Sequence, residues 1–257
     1  SFSSGAGYGG WHFVGAIIPA SGALPAKRAL FLLPATDVTY VDSWHVSGLR
    51  GTGSKDAVVR DAFVPMHRML DLRDIMEMRT PGMLVNRSPL FRLPVFTIIT
   101  LGILAPIVGA TQQAVEDFIL TLREAERGGG VVGNSSKAAE SPVLQRLVAE
   151  ASGLMAAVSA LVESGLREMW LAALAGTVDV DRRVRSRRDY ALAVRLCVQT
   201  MNSLYEASGS RALYVPNATE RIWRDVNAAA KHHGLNWDSM GTMVGRHLAG
   251  LDPRGQY

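Results

Sequence analysis

The sequence predicts an α+β protein with two segregated domains, and three observations carry that reading. The first 65 residues hold short, β-rich runs, the residues from Phe96 onward hold long runs with apolar stripes, and glycine-containing breaks divide those long runs. Strands gathered first and helices gathered afterwards give two layers of different type, not alternating units around one sheet.

The strand-like runs lie at residues 11–18, 29–33, 38–41 and 57–59, separated by turns rich in Gly, Pro and Asp. Strands this closely spaced suggest an antiparallel barrel or sandwich, assigned to residues 1–76. After Pro65 the character changes. Helices are expected over 96–127, 141–176, 184–209, 217–232 and 237–249, forming a four-helix-bundle domain over 77–257. In the second of these, Leu144, Leu147, Val148, Leu154, Met155, Val158, Leu161 and Val162 fall at helical spacing and mark a core-facing stripe. Gly128-Gly129-Gly130 and Gly176-Thr177-Val178-Asp179 break two of the runs. Asn217-Ala218-Thr219-Glu220 reads as a capping box for the fourth helix, with Pro216 ahead of it able to shift the start by a residue.

With 48% hydrophobic and 19% charged residues over 257 positions, the chain has the composition of a soluble globular protein and the length to bury a core in each domain. A single cysteine, Cys197, excludes a disulfide framework and fits a reducing cytoplasm. It sits in an apolar helical run, so packing is its expected role. The net charge of +4 is modest, but Arg182, Arg183, Arg185, Arg187 and Arg188 crowd together. Such a cluster can grip nucleic acid or a flavin phosphate. Without interleaved aromatic residues, a solvated helix start or a subunit contact explains it better. Residues 93–110 approach the length of a membrane span, yet Pro94, Gly102, Pro106 and two threonines interrupt them, which favours a bundle helix and no membrane partner. No signal peptide opens the chain. It begins without Met and inside a strand-like motif, so an upstream segment is expected.

Gly128, Gly130 and Gly133 match a dinucleotide fingerprint by letter but follow a helical run instead of a strand. They fail as a phosphate loop because Asn134 occupies the lysine position. The six histidines show no metal spacing. His232 and His233 are adjacent and on a helix would diverge by ~100°. No metal site and no nucleophile elbow is expected.

Three segments together resemble the two-component, flavin-dependent monooxygenases of the acyl-CoA dehydrogenase superfamily, the group of hydroxyphenylacetate hydroxylase oxygenases, steroid-phenol hydroxylases and dibenzothiophene monooxygenases. They are Phe2-Ser3-Ser4-Gly5 with Trp11 and Val14-Gly15-Ala16; the run from Trp44-His45-Val46-Ser47-Gly48 through Thr52-Gly53-Ser54-Lys55-Asp56 to Phe63-Val64-Pro65; and Glu220-Arg221-Ile222-Trp223-Arg224-Asp225 leading to His232 and Leu235-Asn236-Trp237-Asp238. A weaker fourth is Pro89-Leu90-Phe91-Arg92-Leu93-Pro94. The resemblance covers that fold's middle β-domain and C-terminal bundle and implies that its N-terminal helical domain lies upstream of this chain.

The resemblance further implies reduced flavin (FMNH2 or FADH2) and O2 as cofactors, reacting through a C4a-hydroperoxyflavin to hydroxylate an aromatic or similar small substrate. It implies a homotetramer; the chain shows no nicotinamide motif of its own, so a separate NAD(P)H-dependent flavin reductase is expected as partner, and the lone cysteine keeps the expected location cytoplasmic. Ser4 matches the serine near flavin N5 and His232 the active-site histidine, able to deprotonate a phenol or handle a peroxide proton. His233 is the reserve, beside substrate. Ser3, Ser4, Arg92, Arg127 and Gln145 are the candidate flavin contacts. Two alternatives stay open. An acyl-CoA dehydrogenase would need a carboxylate base, yet histidines occupy one of that family's two positions for it and no Asp or Glu occurs between Glu77 and Glu116. A non-catalytic member of the fold would bind nucleic acid through its arginines.

Overall fold

The computed structural model of the chain describes residues 2–5, 7–127 and 136–257, leaving aside the side chains of Phe2, Glu126, Arg127, Ser136 and Arg211. Backbone contacts divide the chain into two compact units that meet in sequence at Val95 and Phe96. Residues 77–95 therefore keep company with the strands, although 77 was the expected start of the helical domain.

The first unit contains β1 (Phe2–Ser3), β2 (Trp11–Ile18), β3 (Lys27–Pro34), β4 (Thr39–Val41), β5 (Lys55–Val58) and β6 (Met69–Asp71). These form two three-stranded antiparallel sheets, ordered β1-β5-β4 and β2-β3-β6. One small core joins them. Leu33, Val38 and Ala57 are buried, with Val14, Phe31 and Tyr40 packed against them. Two short helices follow, α1 (Leu72–Met76) and α2 (Pro81–Val85), then a 3-10 turn at Pro89–Arg92.

The second unit opens with α3 (Val95–Glu124), passes through a two-strand hairpin of β7 (Glu126–Arg127) and β8 (Ser136–Lys137), and continues in α4 (Pro142–Ala175), α5 (Val180–Ala207), α6 (Ala218–Ala229) and α7 (Trp237–Leu248). α5 is the central element, packing on α4, α6 and α7. Its buried stripe runs Val184, Arg187, Ala191, Val194, Cys197, Met201 and Leu204, a spacing of three and four residues. On α4 the stripe buries Leu144, Met155 and Val158 as expected and leaves Leu147, Val148, Leu154, Leu161 and Val162 half-buried. Cys197 is wholly buried, and burial pushes its thiol up to about 11, which makes it a packing residue. By length and composition alone, α3 and α4 would suffice to cross a membrane.

Three expected boundaries move, each for a local reason. α3 ends at Glu124 instead of reaching 127, so Arg127 stands on a strand paired with Ser136. The glycine fingerprint beyond it lies outside the described residues. α5 starts four residues earlier than expected, because the Asp179 carboxylate accepts from the Arg182 N–H and caps it. α6 stops at Ala229, which removes His232 and His233 from its face. The cap of α6 is as expected, with Asn217 accepting from the Glu220 N–H at 3.1 Å.

Candidate functional site

Ser4 lies just beyond β1, and a loop from the middle motif comes up against it. The Ser54 hydroxyl donates to Ser4 Oγ at 3.1 Å and lies 2.7 Å from Thr52 Oγ1, while the Gly5 N–H donates to the Thr52 carbonyl at 3.1 Å. Ser54 is buried and Ser4 exposed, so one end of this hydroxyl chain is anchored and the other is free to meet a ligand. Gly53 turns the loop at φ +61°, and a Cβ there would meet the Tyr8 ring at 2.9 Å. Ser3 is half-buried, its backbone paired with Lys55. Arg92 closes the 3-10 turn at Pro89–Arg92. Trp44, the most distinctive letter of the middle motif, donates its indole N–H to the Leu49 carbonyl at 2.9 Å and closes the loop that leads to Thr52.

In the helical unit the candidate histidine sits in a turn. α6 is docked on α5 by Trp223, whose ring stacks on Tyr205 at 4.6 Å while its Nε1–H donates to Asn202 at 2.7 Å. Three residues past that helix, His232 takes an extended backbone and caps a 3-10 turn at His233–Leu235. Its Nδ1 accepts from the Gly234 N–H at 3.1 Å. The neutral ring therefore carries its proton on Nε2, and its free nitrogen is a donor. His232 and His233 are exposed, whereas Gly234 and Leu235 are buried. The two histidines are therefore not separated by the divergence of successive positions on an α-helix. What separates them is the turn, which uses one imidazole as its cap and leaves the other beside it.

Below that turn lies a residue that sequence reasoning passed over. Arg187 is only 2% exposed, in the buried stripe of α5. Its Nη1 donates to Thr100 Oγ1 and, at 3.2 Å, to the Phe96 carbonyl, both on α3. A Cβ added to Gly234 would lie 3.1 Å from Arg187 Nη2, 3.3 Å from Thr100 Oγ1 and 3.4 Å from His232 Nδ1. Glycine lets three side chains from three segments converge on that point, where a Cβ would make each give by a few tenths of an ångström. Burial draws the Arg187 guanidinium down to about 10, still charged at neutral pH. Burial also pushes the nearby Tyr190 phenol up to about 12. For His232 the surrounding protein, then the neighbouring His233 and Arg187, hold the pKa below the ordinary histidine value. The signal for Arg187 was available in its position on the apolar stripe, hidden by four arginines around it that face elsewhere. Arg182, Arg185 and Arg188 pair with Asp179, Glu168 and Asp189, and Arg183 donates to the Val178 carbonyl.

The remaining candidates fall elsewhere. Gln145 is exposed in the first turn of α4, its amide donating to the Ala139 carbonyl at 2.8 Å. Arg127 stands on the adjacent hairpin, and its side chain lies outside the described residues. Both are at the far end of α3 from Thr100, about 36 Å along a helix rising 1.5 Å per residue. A single copy of the helical unit therefore does not gather Arg127 and Gln145 with His232. Among the described residues no cluster of three or more potential metal ligands occurs.

Comparison with known proteins bears on the whole chain. Residues 101–237 match the model of the acyl-CoA dehydrogenase C-terminal domain. The chain is 35% identical to the FADH(2)-dependent resorcinol hydroxylase oxygenase component of Rhizobium sp. strain MTP-10005, over 100% of this chain and 64% of that protein. It superposes on the 3-HSA hydroxylase of Rhodococcus sp. RHA1 with a TM-score of 0.88 at 31% identity, covering 99% of this chain and 64% of the other. On XiaF from Streptomyces sp., solved with FADH2 and glycerol, the TM-score is 0.86 at 26% identity, covering 98% and 63%. The chain thus spans a little under two thirds of the length of the relatives it matches. With more than half its residues inside the matched model and the same fold throughout, this chain belongs to the acyl-CoA dehydrogenase family through its C-terminal domain.

Proposed function

We propose that the chain belongs to the oxygenase component of a two-component flavin-dependent monooxygenase that hydroxylates an aromatic or phenolic small molecule. The observation that carries this reading is its continuous similarity, over the whole chain, to a protein named as a flavin-dependent hydroxylase oxygenase component. The polar groups fit a reduced flavin. Ser4 offers an exposed hydroxyl backed by buried Ser54, suited to accept from a ring N–H, with Ser3 beside it. His232 offers an Nε2–H. Arg92, Arg127 and Gln145 are the further candidate contacts, and His233 the candidate for substrate.

Reduced flavin, FMNH2 or FADH2, supplies the electrons that activate O2 when bound. The protein's share is to hold protons in place. Ser4 Oγ fixes a hydrogen bond at one position, and His232 donates from Nε2 to an oxygen that gains negative charge. A dehydrogenase would instead need a carboxylate to remove a proton from carbon. The groups acting electrostatically on His232 are His233 and Arg187, both basic.

The same reading includes a separate NAD(P)H-dependent flavin reductase, a cytoplasmic location and a homotetramer. Trp170, Leu171 and Leu174 on α4 are exposed apolar residues that subunit contact would cover. The arginine cluster is occupied with partners inside its own unit, which speaks against nucleic acid. Light scattering should give four copies, and a monodisperse monomer at micromolar concentration would defeat that part. For the activity, the intact protein should hydroxylate a phenol when a reductase or chemical reductant supplies reduced flavin. Equal turnover from NADH and oxidised flavin, with neither present, would overturn the assignment.

A further inference from the structure

We propose that Arg187 is a positioning residue for His232, its buried guanidinium seating the 232–234 turn against α3 and thereby fixing which imidazole nitrogen carries the proton. This rests on the reading of His232 as the histidine at the flavin.

A cation buried to 2% exposure is expensive unless fully paired. Among the described residues the acceptors of Arg187 are a carbonyl and a hydroxyl, not a carboxylate, and its Nε finds no acceptor. Nor does α3 need it, because Thr100 Oγ1 already donates to the Phe96 carbonyl at 2.6 Å. A methionine of similar length would fill the stripe between Val184 and Ala191 without that cost. Filling the stripe therefore does not explain the arginine.

Its geometry does. One nitrogen, Nη1, is fixed to α3 through Thr100 and Phe96, and the other, Nη2, lies against the turn, 3.1 Å from where a Cβ on Gly234 would stand. The guanidinium thus spans from α3 to the turn. The turn in turn presents the Gly234 N–H to His232 Nδ1, and a proton on Nδ1 would collide with that N–H. Positive charge beneath the ring opposes its protonation as well. The charged groups acting on His232 are His233 from its own turn and Arg187 from α5, while α3 contributes the neutral Thr100 hydroxyl. Together these leave a neutral imidazole with Nε2–H as its fixed donor.

The test is ¹⁵N-histidine NMR on the intact protein without flavin, with His232→Asn used to assign the resonances. In the parent protein His232 should show a bare Nδ1, a protonated Nε2 and titration below the ordinary 6.5. In Arg187→Met the ring should populate both tautomers and titrate closer to 6.5. Arg187→Lys should restore the low titration without restoring the single tautomer, since an ammonium carries charge but no fork. Thr100→Val, which frees the guanidinium from its anchor, should shift the tautomer in the same direction by less. An unchanged tautomer and titration in a folded Arg187→Met overturns the proposal. Should Arg187→Met not fold, an unchanged tautomer in Thr100→Val overturns it alone. Product yield and hydrogen peroxide release, measured on the loaded enzyme, separate the two layers of inference. Tautomer shifts with unchanged coupling uphold Arg187 as a positioning residue and sink His232 as the proton donor.

Discussion

Ser4 and His232 are each fixed by one hydrogen bond of 3.1 Å, accepted from the Ser54 hydroxyl and from the Gly234 N–H respectively. Their surroundings differ in kind. Around Ser4 the supporting groups are hydroxyls and backbone from a single loop, neutral and tolerant of small shifts. Around His232 they include a buried charge that reaches across to α3, 87 residues away in the chain. The first arrangement tunes a hydrogen bond. The second sets a protonation state, so damage to it should propagate further.

That contrast orders the expected effects. The largest is His232→Ala, which should lower product by ~10²–10⁴-fold, the usual range for acid–base work, while oxygen consumption continues and reappears as hydrogen peroxide. Full coupling in this variant would remove the helical unit from the comparison. His233→Ala is its control and should change coupling much less, because only His232 caps the turn.

Ser4→Ala should come next. Losing one hydrogen bond to a buried reactive group costs about 1–3 kcal/mol, roughly ten- to a hundred-fold in peroxide leak. Ser54→Ala should move coupling the same way by less, since Ser4 keeps its hydroxyl and loses only its support. A larger effect from Ser54 than from Ser4 would show that the loop, and not the hydroxyl, is what matters there.

A smaller effect separates the two regions by pH. His232 has its pKa lowered in the folded state, so its contribution to stability is complete above 6.5, its unfolded value, and is lost as pH falls through the folded value. The urea midpoint should therefore decline between about pH 7 and pH 5, and His232→Ala should flatten part of that decline. Ser4→Ala, which removes no titrating group, should leave the slope unchanged. Parallel slopes in all three proteins would deny His232 its perturbed environment.

The smallest is structural. Gly53→Ala forces a Cβ onto φ +61° and into the Tyr8 ring, and should destabilise by about 1–2 kcal/mol. A thermal melt that does not move would mean the Thr52–Ser54 loop can rearrange freely, and its hold on Ser4 would lose its basis.

Much of this was legible in the letters. The segregation of strands from helices, the full extent of β2, the cap at Asn217 and the packing role of Cys197 all follow from local pattern. The motif residues were found, but most of the tryptophans among them do structural work: Trp44 closes a loop, Trp223 docks α6, and Trp237 packs against the Ala191–Met240–Met243 cluster. The helix ends were less legible. Asp179 was an unread cap, and nothing apolar past Ala229 signals that α6 stops before its histidine.

The sequence by itself determined where strands and helices would gather and which residues of α4 would form its core-facing stripe, because those depend on spacing within one segment. It also supplied Ser4 and His232 as candidates. Only the tertiary structure decided what those residues are. It sorted five neighbouring arginines into four with partners of their own on the flank and one buried beneath a histidine, since a helix turns about 100° per residue and composition carries no angle. It brought Thr100, Arg187 and Gly234 to one point, and it set the Gly234 N–H against His232 Nδ1, the contact that leaves the proton on Nε2.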